Sequence, residues 1–315
     1  KAANEEAFKK PEGMNAMFSP FAPPQIEYTD ALMQDIVNSS DVAVVTIGRN
    51  SGEGGDRVVK DDWLLSELEQ EMLDKATDAF HKAGKKIVVV LNIGGVIETA
   101  SWKAQPDAIL LAWQGGQEGG NAVADILDGK VNPSGKLTMT FPKNIEDHAS
   151  HANFPLDGKP MQMTDMLWGK AEKPEDEQEK DVDFTTYEEG IYVGYRHFDT
   201  QKLDVSYPFG FGLSYTDFAV SEVTATLEDD VINVTAVVQN IGANAGKEVV
   251  QVYVAKPETA IDRAAQELKA FAKTSLLAPE ASETLTFQIP VNELSYWNEN
   301  TNNWSLESGT YRIKV

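Results

Sequence analysis

Between residues 48 and 57 the chain reads GRNSGEGGDR, directly after the apolar run DVAVVTIG. One glutamate, Glu53, stands among glycines, and two chemistries compete for such a loop. A glycine-rich turn between a strand and a helix is how phosphate cradles are built. Here, however, Arg57 stands where a dinucleotide fingerprint needs its last glycine, and no Lys-Ser or Lys-Thr pair follows as a P-loop requires. Glu53 would also place a carboxylate inside the anion site, where like charges repel by about 4 kcal/mol at contact and protein-surface dielectric. What remains is presentation. Gly52, Gly54 and Gly55 remove side-chain bulk and tolerate positive φ, so a ligand can approach the backbone beside Glu53. A lone carboxyl on such a loop suits a general acid when its surroundings raise its pKa. Residue chemistry alone leaves this level with a turn that merely carries a solvated acid.

Other reactive side chains offer less. WQGGQEGGNAV, residues 113–123, could present Glu118, but close packing of a helix start on a sheet edge accounts for its glycines. KDDWL, residues 60–64, sits where a helix begins, which makes Asp61 or Asp62 an expected N-cap. Of His81, His148, His151 and His197, only His148 and His151 are close, in the loop-like EDHASHANFP with no third ligand placed. No metal and no cofactor is therefore expected. The chain has no cysteine, so thiolate catalysis, sulfur ligation and disulfides drop out, and the compartment, cytoplasmic or secreted, stays open.

The elements that would position Glu53 follow from patterning. At 315 residues the chain can hold two domains, each with its own core. Its formal charge of −23 opposes nucleic acid and anionic membranes and favours a neutral or cationic ligand. No apolar run approaches the roughly 18 residues of a membrane span, and KAANEEAFKKPEG lacks the apolar centre of a signal peptide. Residues 1–28 are punctuated by proline and are expected to run extended over a surface. TDALMQDIVNSS reads as a short amphipathic helix capped by Thr29, and DVAVVTIG as a strand covered on both faces. A helical period over 61–84, strands at KKIVVVLNIG and PDAILLAWQG, a helix at GGNAVADILDG and a fourth strand at GKLTMTFP follow. This alternation predicts an α/β layer with a mainly parallel sheet over residues 29–199, with a charged excursion at 143–186. YEEGIYVGYRHFD reads as one more strand. A connecting segment spans 200–218. From 219 to 315 the period falls to two in INVTAVVQN, EVVQVYVA, ELKAFAK, ETLTFQIP and GTYRIKV, the signature of a β-sandwich.

Five stretches in order, GRNSGEGGDR, ILLAWQGGQEGGNAVADILDGKVNPSGKLTMTFP, YEEGIYVGYRHFD, YPFGFGLSYT and ELKAFAKTSLLAPE, resemble family-3 glycoside hydrolases of the β-glucosidase branch. The resemblance covers most of residues 41–315. It implies an (α/β) sandwich followed by a fibronectin type III-like domain, and retaining hydrolysis of terminal non-reducing β-D-glucosyl residues. Glu53 matches the family's general acid/base glutamate. Arg49, Asp56 and Arg57 are given loop-shaping roles near it, and Glu188 and Glu189 structural ones. The family's nucleophile is an aspartate on a (β/α)8 barrel that no stretch here resembles, so the nucleophile is not expected in this chain. The sequence thus reads as the C-terminal part of an enzyme, inactive alone. Its implied partners are a barrel-containing polypeptide of the same enzyme and a β-glucoside or cello-oligosaccharide substrate. A homo-oligomer stays open.

Two departures and two alternatives complete the reading. APEA at 278–281 replaces a common Pro-Gly turn, and the family's usual small-residue tail is absent after GTYRIKV. The family's β-N-acetylglucosaminidase branch uses a barrel histidine, against which Glu53 and the β-sandwich weigh, whereas a β-xylosidase stays open. From another class, the chain could be a non-catalytic carbohydrate-binding or scaffolding module, since its six tryptophans could stack on sugars. Trp63, Trp102 and Trp113 lie in helix or strand patterns, which places them in the core.

Overall fold

The computed structural model describes residues 28–49, 57–153 and 186–315. These fall into two compact units. The first takes in the described residues up to Gly120 with short returns at 143–145 and 151–153, and the second comprises Asn121–Pro142, Glu146–Ser150 and Tyr187–Val315.

The first unit is built on three parallel strands, β1 (Val42–Gly48), β2 (Lys86–Asn92) and β3 (Ala108–Leu111), in the order β1-β2-β3. The register runs from Val42 opposite Lys86 to Gly48 opposite Asn92, and Val88 opposes Ala108. Central β2 is the apolar run that burial on both faces demands: Ile87, Val89, Val90 and Leu91 are all buried. β1 departs from the sequence reading. Val45 and Ile47 are buried, but Val42 and Val44 are nearly half exposed, so this edge strand is covered on one face only. The helix Asp30–Ser39 starts where Thr29 accepts the Leu32 N–H at 3.3 Å, and it buries Met33 and Val37.

The long helix is Glu67–Lys82, six residues later than its periodicity suggests. Its cap is Ser66, which accepts from the Glu69 N–H at 3.2 Å while the Glu69 carboxylate accepts from the Ser66 N–H at 2.9 Å, a reciprocal capping box. Leu73, Ala76 and Phe80 form its buried stripe. Asp61 and Asp62, expected as caps, belong instead to an irregular turn in which Asp61 takes a left-handed φ of 63°. At the amino edge of the sheet, Asp107 accepts from Lys86 at 2.6 Å, His81 at 3.0 Å and the Ile87 N–H at 2.9 Å. Lys86 first, then the Ile87 N–H, hold its carboxyl well below the usual carboxylate range.

Among the described residues the parallel sheet has three strands. Of GKLTMTFP only Phe141–Pro142 (β4) is extended, and it pairs antiparallel with Val205–Tyr207 (β5). YEEGIYVGYRHFD is not a strand either. It forms turns and then the helix Tyr195–Gln201, entered through Gly194 at φ 58°, a backbone setting that ends an extended run.

The second unit holds β4, β5 and the helix Tyr195–Gln201 together with a β-sandwich from residue 218 onward. One antiparallel sheet orders β10 (Ser282–Pro290), β7 (Val231–Asn240) and β6 (Phe218–Glu228). The other orders β13 (Arg312–Lys314), β8 (Val249–Ala255) and β9 (Glu267–Lys273). Alternate residues of the facing strands, Val234 and Val238, Val250, Val252 and Val254, Leu285, Phe287 and Ile289, close the core between them. β6, unread in the sequence, is exposed along most of its length, which erases the apolar alternation. A short hairpin, β11 (Tyr296–Asn298) with β12 (Asn303–Ser305), completes the unit.

Candidate functional site

The site is the carboxyl edge of the parallel sheet, where open α/β folds place ligands. β1 ends at Gly48, and the Arg49 N–H extends its pairing with β2 by donating to the Asn92 carbonyl at 3.1 Å. A guanidinium has five N–H donors, and those of Arg49 are all taken. Nε donates to the Asp62 carbonyl at 2.7 Å. Nη1 donates to the Gly48 carbonyl and to Glu69 Oε1, both at 2.7 Å, and Nη2 to the Leu64 carbonyl at 3.3 Å and Glu69 Oε2 at 2.8 Å. With its side chain only 6% exposed, Arg49 has no donor left for a ligand. Glu69 thereby caps its helix and clamps the exit of β1 to that helix.

Arg57 enters from the far side of the loop. Its Nη1 donates to Asp62 Oδ1 at 2.5 Å and its Nη2 to the Gly95 carbonyl at 3.4 Å, while Asp62 Oδ2 accepts from the Val58 N–H at 3.2 Å. One residue therefore serves both ends: the Asp62 carbonyl holds Arg49 and its carboxylate holds Arg57. Two arginines and two acids make the cluster neutral, which keeps the partly buried charges matched. Glu53 and Asp56, named from the sequence, lie in 50–56, outside the described residues. Arg49 and Arg57 are brought together on Asp62. Asp62 is expected from the sequence only as a helix cap and Glu69 not at all; Ser-Glu-Leu-Glu at 66–69 carries the capping-box spacing that marks Glu69 as a cap, but not its pairing with Arg49.

The neighbouring loops add shape. After β2, Glu98 is buried at 5% exposure, and its two carboxylate oxygens accept from the Ser101 N–H and hydroxyl, both at 2.7 Å. Its carbonyl accepts from Trp102 Nε1 at 2.8 Å, and its N–H donates to the Trp63 carbonyl at 2.9 Å. Glu98 thus seats two buried tryptophans, Trp63 and Trp102. After β3, Trp113 is half-buried rather than core and holds a left-handed φ of 51°, a setting that costs a bulky residue about 1–3 kcal/mol. A side chain on Gly115 would meet the Gly119 Cα at 2.8 Å, so this glycine turn lies tight against the start of the helix Gly119–Leu127, with Glu118 exposed on it. Among the described residues no group of three or more His, Asp or Glu is arranged to hold a metal ion. His148 packs edge-on against Phe198, and His197 Nε2 donates to the Asp147 carbonyl at 3.1 Å. No described helix is long and apolar enough to cross a membrane.

Comparison with known proteins places this architecture. The glycosyl hydrolase family 3 C-terminal domain matches residues 5–195, and the fibronectin type III-like domain matches residues 248–315. The chain belongs to glycosyl hydrolase family 3, as an α/β domain with a parallel sheet followed by a fibronectin type III-like β-sandwich. A β-glucosidase of Ruminococcus albus is 37% identical over 300 residues, which cover 93% of this chain and 28% of that protein. An exo-α-(1→6)-L-arabinopyranosidase of Bifidobacterium breve is 34% identical, covering 96% of this chain and 37% of that protein. Among solved structures, β-glucosidase 3B of Thermotoga neapolitana in complex with α-D-glucose superposes with a TM-score of 0.79 at 39% identity, over 93% of this chain and 38% of that one. The chain thus spans about a third of the length of these relatives.

Proposed function

We propose that this chain is the C-terminal part of a retaining β-glucosidase, in which Glu53 serves as general acid/base and a barrel outside this sequence supplies the nucleophile. The observation that supports it most is the anchoring of the Glu53 loop. Both of its ends are tied to Asp62 at the carboxyl edge of the sheet, by a buried Arg49 and by Arg57. Fixed points on either side of a proton donor reduce the freedom it must lose to act, and Arg49 and Arg57 are such points. Retention calls for a second carboxylate about 5–5.5 Å away. That carboxylate attacks C1 while Glu53 protonates the leaving glycosidic oxygen, and Glu53, now ionised, takes the proton from the water that releases the sugar.

The substrate this reading favours is a terminal β-glucoside or cello-oligosaccharide, by analogy with the relatives named as β-glucosidases. The arabinopyranosidases among the relatives keep a second reading open, another exo-acting glycosidase of the same family. In both readings the acid/base is the same and the sugar is chosen mostly by residues outside this sequence. The test is Glu53→Gln in the complete enzyme. For an alkyl glucoside, whose leaving group needs a proton, kcat/KM should fall by about 10²–10⁴. For a dinitrophenyl glucoside it should change little, and added azide should restore turnover and yield the β-glucosyl azide. Equal, small losses on both substrates would remove Glu53 from the mechanism.

A further inference from the structure

Two tryptophans of the β-sandwich differ from the sealed pair of the α/β unit. Trp63 and Trp102 are buried at 2% and 0% exposure, whereas Trp297 and Trp304 are 50% and 65% exposed. They are direct cross-strand partners on the β11–β12 hairpin, with ring centroids 5.7 Å apart and planes at 78°. One ring forms a floor and the other a wall. The hairpin is seated by its other side. Tyr296 lies under the Arg263 guanidinium, 5.6 Å from ring centroid to Cζ, and its hydroxyl accepts from Asn298 Nδ2 at 3.4 Å. Glu307 ties the following segment down by accepting from the Ala260 N–H at 2.7 Å and the Thr259 hydroxyl at 2.8 Å. The tryptophan corner is therefore held on a fixed base with its rings outward. The turn that joins the two strands carries mostly neutral hydrogen-bonding groups, Asn300, Thr301 and Asn302 with Asn303 after them, and one acid, Glu299, all exposed.

We infer that this corner is a saccharide platform, which stacks a pyranose ring of a neutral β-linked glucan on Trp304 or Trp297 while the flanking amides bond its hydroxyls. Sugars with equatorial hydroxyls turn their axial C–H bonds to the ring faces, and those weakly positive hydrogens match the negative face of an aromatic ring. Scale fits a small ligand better than a protein partner, whose interface would have to extend well beyond the two rings. Aromatic side chains bury about 150–250 Å² each, so two rings exposed at this level offer on the order of 200–300 Å², far below the roughly 800 Å² per partner of a standard protein interface. Charge points the same way: at −23, a second copy of the chain or an anionic polymer is repelled, and a neutral sugar is not. The choice of a β-glucan rests on the proposed function. The platform itself rests on the corner's geometry.

The test uses the full 315-residue chain in native affinity gels cast with soluble mixed-linkage β-glucan, alongside a fluorescence titration with cellohexaose. The wild-type chain should be retarded. Trp304→Ala should weaken binding at least fivefold, Trp297→Ala with Trp304→Ala should abolish it, and Trp304→Tyr should keep most of it. Both rings are half-exposed or more and lie outside the core, so the double variant should keep a cooperative thermal transition with its midpoint lowered by only a few degrees. In the complete enzyme the double variant should lose efficiency on the polymer while aryl-glucoside kinetics stay constant. Absence of retardation in the wild type, or equal retardation of the double variant, would overturn the platform. So would a dimer in sedimentation that the double variant dissolves, or shielding of the rings from acrylamide by the remainder of the longer polypeptide. Because the gel reads binding without turnover, its failure is distinguishable from failure of Glu53 as acid/base.

Discussion

Arg49 shows how much one side chain decides at this site. Its fork meets a carboxylate through two parallel bonds and three carbonyls through the remaining donors, an arrangement that a lysine ammonium with three donors cannot copy. Arg49→Lys is expected to cost about 2 kcal/mol, and Arg49→Met about 3–5 kcal/mol because Glu69 then keeps a largely buried charge without its partner. Urea unfolding with an unchanged slope and a lower midpoint would measure both. A midpoint equal to wild type would mean that the clamp contributes nothing. The same residue illustrates the reach of sequence reading. Arg49 was placed beside the loop by resemblance, but its acceptors Asp62 and Glu69 stand 13 and 20 residues away and no local pattern joins them.

At the scale of elements, anchoring recurs in the β-sandwich. Glu307 holds the chain after β12 through the Ala260 N–H, which is the largest cause of its lowered pKa. Partial burial opposes this shift, while the Thr259 hydroxyl, Lys256 and Arg263 add to it. A carboxyl whose folded pKa lies below its ordinary value of 4.5 contributes stability above that value and loses it as pH falls through the lower folded one. Acidification below about pH 4 should therefore loosen the β11–β12 hairpin before the core strands, seen as a change in tryptophan emission. Glu307→Gln should flatten that acid limb, and an identical limb in the variant would assign it to other groups. Buried Asn240 does comparable service at the end of β7. Its amide donates to the Asn244 and Leu277 carbonyls at 2.8 and 2.9 Å, and its oxygen accepts from the Thr216 hydroxyl at 2.7 Å and the Gly242 N–H at 3.1 Å. An asparagine that ends a strand in sequence gives no hint of this, since its four partners lie outside the named strands, three in bends and Leu277 in a bridge to Gly246.

For the molecule as a whole, chemistry and architecture divide unevenly. The chain covers about 28–38% of the first relatives and structures it matches, and a retaining mechanism needs two carboxyls on one sugar. On the proposed reading the isolated chain should release no nitrophenol from nitrophenyl β-glucoside, and should gain activity only when the remaining polypeptide is supplied. Turnover by the purified chain that survives Glu53→Gln would place the chemistry elsewhere.

Family, fold class and most strands were legible in the sequence because each depends on local order: period-two runs in the sandwich, an apolar β2, and glycine-rich turns at element ends. The errors came where a strand or helix start depends on partners. GKLTMTFP has a strand's composition but pairs through only two residues, and the long helix waits for Ser66 because a capping box satisfies two N–H groups reciprocally. Only the tertiary structure decided that one aspartate serves both ends of the Glu53 loop, and that two of the tryptophans face outward while two are sealed. Hydrogen bonds and burial across tens of residues are set by how the chain closes on itself, and composition carries no record of that.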